Sequence, residues 1–247
     1  MKRFSVFLTF LVAWFAASIA LATPLNRALL VVATSLPAPY APPAKAEQAS
    51  IERAEFLPKL ADALATKAEE ATCVGAGTDC KRAWPGTTDE HAALALTLGW
   101  FESRLDPRIQ AGKCEIFGPK PSQRECDGEL YPNGAVPSYV RGIRKQSKWG
   151  TVVFTSTTLF QIKGLSDARI KEVIGLEPEN LLEAAREQSR VMSSHRRMCY
   201  ARDWVTCTIN AYAGTITFKQ APLRAAMYRK ILTKVRIELA KDSDKNT

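Results

Sequence analysis

Between residues 88 and 105 the apolar positions fall at three- and four-residue steps: Leu94, Ala95, Leu98, Phe101 and Leu105. That spacing predicts a helix with one face turned to a core. Thr87 and Glu90 have the spacing of a capping box, Asp89 and Glu90 complement the helix dipole, and Pro107 stops the run. The same period predicts a helix over residues 51 to 72, with Leu57, Leu60, Ala61 and Leu64 on one face and Pro58 in its first turn. Residues 106 to 150 are rich in Gly and Pro and read as loop. "TVVFTSTTLFQI" is β-branched and aromatic, as in a strand or short hairpin. Helical periods then return. Ser166 to Ile174 ends at Gly175. A longer helix starts at Pro178, with Leu181, Ala185, Gln188, Met192 and His195 in phase. Trp204 to Tyr212 reads as a buried turn or helix, and Pro222 to Leu239 as a basic amphipathic helix. The pattern is α+β and mainly helical, with a small β/loop insertion after the helix of residues 88 to 105.

The start of the chain breaks this pattern. Lys2 and Arg3 precede a long apolar run, and Ala20-Leu21-Ala22 offers small residues for cleavage, so residues 1–22 read as a signal peptide for export to the periplasm or outside. An uncleaved membrane anchor is the alternative, and would be the chain's membrane contact. Residues 23–49, rich in Pro and Ala, read as a spacer. The folded domain is expected over 50–240, followed by a flexible tail at 241–247.

The net charge of +9 falls to about +7 without Lys2 and Arg3, which suits an anionic partner. An exported chain with no aromatic-basic signature argues against nucleic acid. Arg224, Arg229, Lys230, Lys234 and Arg236 in the last helix read as a solvated face. The six cysteines permit 15 pairings, and in an exported chain an even count implies disulfides. They fall into three close pairs, giving Cys73–Cys80, Cys114–Cys126 and Cys199–Cys207. No Cys-x-x-Cys spacing suggests zinc, so no metal is expected. Neither a Gly-x-Ser-x-Gly elbow nor a Walker loop is present. His91 and His195 read as structural.

One residue does not fit its helix. Glu102 lies four residues after Leu98 and three before Leu105, on the face predicted to be buried. A carboxylate on such a face loses hydration, which favours its protonated form and suits it to proton donation.

Three stretches, taken together, carry a resemblance. "WFESRLDP" resembles the helix end with the catalytic Glu-Ser of soluble lytic transglycosylases and related lysozyme-like muramidases, the goose-type lysozymes among them. "STTLFQIKG" is similar to that family's Gly-Leu-Met-Gln-Ile segment, and "INAYAGT" to its Ala-Tyr-Asn-Ala-Gly segment. The order agrees, over roughly residues 50 to 235. The resemblance implies a lysozyme-like fold that cleaves the β-1,4 bond between N-acetylmuramic acid and N-acetylglucosamine in peptidoglycan, without a cofactor.

Position by position, the resemblance makes Glu102 the acid/base and has Ser103 shape the site beside it. Gln161 would hydrogen-bond the sugar or its peptide, and Tyr212 would orient Glu102 or touch the sugar. Thr158 stands where the family has its first Gly, and Ala213 where it has Asn. With one carboxylate, the muramic acid's own 6-hydroxyl can attack the anomeric carbon, leaving a 1,6-anhydro end. Hydrolysis would need a second acid, for which Asp127 and Asp106 are the candidates, Asp106 reading rather as an Asp-Pro turn. A non-catalytic wall-binding or assembly protein on the same fold is the rival, and a wall-spanning assembly a conceivable setting.

Overall fold

The computed structural model describes residues 23–72, 84–112, 115–116, 124–125, 141–147, 150–163, 165–199, 203–213 and 219–244. The segment 1–22, Cys73, Cys80, Cys114, Cys126 and Asp127 lie outside them. The described chain is mainly helical. In order come α1 (Pro24–Ser35), a single 3-10 turn (Pro43–Lys45), α2 (Ala46–Ala71), α3 (Thr88–Ser103) and α4 (Pro107–Gln110). Strands β1 (Glu115–Ile116), β2 (Arg124–Glu125), β3 (Arg141–Ser147), β4 (Gly150–Thr157) and β5 (Ile162–Lys163) follow. The chain then forms α5 (Asp167–Val173), α6 (Pro178–Met198), α7 (Trp204–Tyr212) and α8 (Ala221–Asp244).

The molecule is built around α3. It was expected to bury one stripe, but every residue from His91 to Trp100 is buried. A helix apolar on all sides belongs in the middle of a protein, and α1, α2, α6 and α8 surround this one. At its N-terminus Glu90 accepts the Thr87 amide at 3.1 Å, completing the predicted capping box.

Residues 24–35, expected to be spacer, are a core helix. Thr23 caps α1 by accepting the Asn26 amide at 3.2 Å, and Pro24 takes the first turn, where its missing N–H costs nothing. Leu25, Ala28, Leu29, Val32 and Ala33 all enter the core. Apolar burial outweighs the Pro/Ala composition that suggested a linker. Helix α2 likewise starts at Ala46, so Pro58 lies inside it and not in its first turn. The carbonyl that Pro58 leaves without a donor is that of Ala54, which faces solvent. At the other end, the tail expected at 241–247 is helical as far as Asp244, and Asp242 pairs with Arg27 at 3.0 Å.

Strands β3 and β4 pair antiparallel from Arg141 with Ser156 to Ser147 with Gly150, and β4 then pairs with β5 through Thr157 and Ile162. Strand β1 pairs with β2. A disulfide joins Cys199, after α6, to Cys207 in α7, as expected for that pair. Closing so short a loop is worth about 2.5 kcal/mol in the chain-entropy account. Among the described residues no helix is long and apolar enough to cross a membrane.

Candidate functional site

Glu102 stands in the last turn of α3, where the helix leaves the core. Its side chain is 21% exposed, against 8% for its partner Arg224 from α8, whose Nη1 donates to Glu102 Oε1. The carboxylate is thus half-buried, and not enclosed as its phase with Leu98 and Leu105 led one to expect. Its partner is a guanidinium, however, and not an apolar wall alone. Arg224 also lies over the Phe101 ring, 5.0 Å from its centre. Arg224 was read as part of a solvated face. It is buried instead, together with Ala225, Tyr228, Ile231 and Val235.

The end of α3 is held in an unusual backbone conformation. Arg104 and Leu105 both have positive φ, 57° and 55°. Left-handed backbone costs a non-glycine residue roughly 1–2 kcal/mol, so two in succession must be fixed by their surroundings. Arg53 of α2 supplies much of this. Its guanidinium is buried and donates to the carbonyls of Arg104 at 3.1 Å, Ala33 at 3.2 Å and Leu36 at 3.3 Å, with a longer contact of 3.5 Å to Leu105. One side chain therefore binds the end of α1 to the turn that follows Glu102. Burial lowers the Arg53 pKa, which Asp106 partly opposes.

Asp106 is the Asp-Pro turn residue and not a spare acid. It is 1% exposed, caps α4 by accepting the Arg108 amide, and has Arg108 on both carboxylate oxygens at 2.6–3.1 Å. Ser103 is also buried, and its hydroxyl donates to the Gly99 carbonyl at 3.0 Å within its own helix. That places Ser103 under the site and its hydroxyl on the backbone. Trp100 is buried, with its Nε1 on the Pro37 carbonyl at 3.1 Å and Arg104 over its ring.

Opposite the end of α3 lies the turn Thr158–Gln161, in which the Gln161 amide donates to the Thr158 carbonyl at 3.1 Å. Thr158 and Gln161 both have positive φ, 65° and 56°. For a β-branched residue this is the conformation that glycine adopts freely. Leu159 and Phe160 are fully buried and pack so closely on α3 that a side chain at residue 99 would require them to shift. The turn is fastened on two further sides. Gln110 of α4, itself fully buried, accepts the Leu159 amide at 3.3 Å and donates to the carbonyls of Val173 and Gly175 at 2.8 and 3.0 Å. The Tyr212 hydroxyl donates to the Phe160 carbonyl at 2.6 Å.

Tyr212 therefore fastens the turn to α7. Burial, and then the negative charge of Glu102, raise its pKa, so the phenol stays a neutral donor. Gln161 has no such engagement. Its Nε2 is buried and, among the described residues, has no hydrogen-bond partner. A buried amide donor without an acceptor is costly, and a ligand oxygen is one way to satisfy it.

The structure thus brings Glu102, the Gln161 turn and Tyr212 to one place. Ser103 and Thr158 lie beneath them as buried framework. Sequence reasoning missed Arg53, Gln110 and Arg224. For the two arginines a signal was present. Arg53 is in phase with Leu57, Leu60 and Leu64, and Arg224 with Tyr228, Ile231 and Val235, as Glu102 is with its own apolar neighbours. Gln110 carries no periodic signal. Among the described residues no group of three or more His, Cys, Asp or Glu side chains is placed to hold a metal.

Comparison of the chain with protein-family models, with curated proteins and with solved structures returns no match.

Proposed function

We propose that this protein is an exported muramidase of the lytic transglycosylase type, built on a lysozyme-like fold with a β insertion between α4 and α5. The reading is carried by one arrangement: Glu102, half-buried, ends the helix on which the Thr158–Gln161 turn packs, that turn bears the orphan donor of Gln161, and the Tyr212 hydroxyl holds the turn through the Phe160 carbonyl. The three stretches that resemble the family in sequence are the three that meet. Thr158 adds support, since its left-handed φ is the one for which the family's glycine is suited. The Cys199–Cys207 disulfide fits an oxidising compartment.

In the mechanism, a glycan strand of peptidoglycan lies across the end of α3. Glu102 gives its proton to the glycosidic oxygen as the bond to the anomeric carbon breaks. The muramic acid's 6-hydroxyl then attacks that carbon and returns its proton to Glu102, closing a 1,6-anhydro ring. Gln161 Nε2 donates to a sugar or peptide oxygen and fixes the strand. Tyr212 holds the Gln161 turn in register, and the packing at Gly99 sets its distance from α3. The bond rearrangement consumes no water, so a single carboxylate suffices.

The test is digestion of purified wall sacculi with the protein, followed by mass analysis of what is released. Anhydro-muropeptides are the expected product. Reducing ends would place the chain with hydrolases. The engagement of Glu102 by Arg224 favours one further reading, a wall-binding protein without turnover. Retention on sacculi with no release would select it.

A further inference from the structure

Arg104, two residues beyond Glu102, is exposed, yet its side chain is held in place. Its guanidinium lies over the Trp100 ring, 4.1 Å from the centre, and that ring is itself fixed through Nε1 to the Pro37 carbonyl. The backbone is pinned as well. The Arg104 amide donates to the Trp100 carbonyl at 2.8 Å, and its own carbonyl accepts from Arg53 at 3.1 Å. A helix end with φ 57° ordinarily takes glycine or asparagine, and strain of this kind clusters at ligand-binding positions. Most described arginines meet a carboxylate, as Arg27, Arg108, Arg169 and Arg236 do. Arg104, among the described residues, meets none. Stacking on a ring leaves the N–H edge of a guanidinium able to donate.

We propose that Arg104 is the receptor for a carboxylate of the short peptide that peptidoglycan strands carry. The inference rests on the muramidase reading. In a peptide-bearing strand the lactyl carboxyl of muramic acid is taken up by an amide bond, so the anions lie further out, on the peptide itself. The geometry matches that reach. Trp100 packs edge-on to Phe101 with ring centres 4.8 Å apart, and Phe101 lies beneath Arg224, the partner of Glu102. The two rings thus form a step from the acid to Arg104, crossed in intervals of 5.0, 4.8 and 4.1 Å. An extended chain advances about 3.5 Å per residue, so a peptide of about four residues hung from the sugar beside Glu102 spans that gap. Because Trp100 already places the side chain, binding gives up little of the rotamer freedom that an unsupported arginine loses. Arg104 donates paired hydrogen bonds to the carboxylate and so selects strands with acidic peptides over neutral ones. It acts in specificity, and Glu102 carries the proton.

The experiment uses muramic acid–N-acetylglucosamine oligosaccharides of equal length that all carry the stem peptide. In one set the peptide carboxyls are free, and in the other they are converted to primary amides. The lactyl carboxyl is in its amide bond in both. For the wild type, kcat/KM is expected to favour the acid form about fivefold at low salt, the most that an exposed pair ordinarily gives. That preference should shrink towards one in roughly 0.5 M salt, which screens such a pair. Arg104→Gln should bring the ratio near one at low salt too, with the change in KM and not in kcat, and Arg104→Lys should keep part of the preference. A wild-type ratio of one would overturn the proposal, as would equal ratios in wild type and Arg104→Gln. Should Arg104→Gln fail to fold, the wild-type ratio with its salt dependence and Arg104→Lys still decide. If calorimetry shows the acid form bound by this pattern while neither glycan is cleaved, the muramidase reading fails and the receptor stands. Cleavage of both forms at equal rates does the reverse.

Discussion

A methyl group added to Gly99 would stand 2.7 Å from Leu159 Cδ1 and 3.0 Å from Phe160 Cε1. The helix that carries Glu102 and the turn that carries Gln161 are therefore in contact across a glycine. Gly99→Ala should force them apart, costing about 1–3 kcal/mol of stability as over-packing does. Gln161 should move with the turn, so cleavage of sacculi should fall further than the stability loss accounts for. Denaturant titration and product release, measured on the same preparation, check both halves.

Arg53 reaches the backbone at both the end of α1 and the turn after Glu102. Arg53→Met keeps the aliphatic stem and leaves those buried carbonyls without their donor. The expected loss is about 3 kcal/mol, since several acceptors are orphaned together. Arg53→Lys has too few donors in the wrong geometry and should rescue little. The denaturation midpoint reads the effect.

Histidine at position 91 should make the protein sensitive to mild acid. Its ring is 1% exposed, with Nε2 beside Ser189 Oγ at 2.9 Å, and burial followed by the charge of Lys67 lowers its pKa to about 3. In the unfolded chain the ring titrates near 6.5. Above that value both states are neutral and His91 has no effect on pH dependence. Between 6.5 and about 3 only the unfolded chain takes the proton, so stability falls as pH falls, by up to about 1.4 kcal/mol per pH unit from this group. His91→Gln should flatten the slope between pH 6.5 and 5. A smaller slope remains from His195, which burial also lowers. Stability by urea unfolding at stepped pH measures the difference.

The starts and stops of the later helices were legible because each rests on local chemistry. Ser166 caps α5, Pro178 opens α6 and Gly175 takes φ 139° between them. The phase of Glu102 with Leu98 was legible too, but α3 is buried on every side from His91 to Trp100, so that phase did not decide the exposure of Glu102. What escaped were matters of tertiary context. Thr23-Pro24 is a good helix start, but the core that holds α1 comes from α2 and α8, far along the chain. The phase of Arg224 with Tyr228, Ile231 and Val235 hints at burial, but its partner is known only when α3 delivers Glu102 to it. Gln110 gains its importance only when the turn at 158–161 arrives beside it. Sequence order thus singled out Glu102, the turn at 158–161 and Tyr212, while the residues that hold and balance them were set by contacts between distant elements.

The central claim, that Glu102 is the acid of a glycan-cleaving site, is tested most directly by comparing wild type with Glu102→Gln on purified sacculi and weighing the soluble muropeptides. The substitution keeps size and hydrogen-bonding capacity but cannot shuttle a proton. Wild type should release products with 1,6-anhydro ends, and the variant, still cooperatively folded though with a lowered thermal transition because Arg224 loses its counter-charge, should release none. Equal release by both proteins, or none by the wild type, would contradict the account.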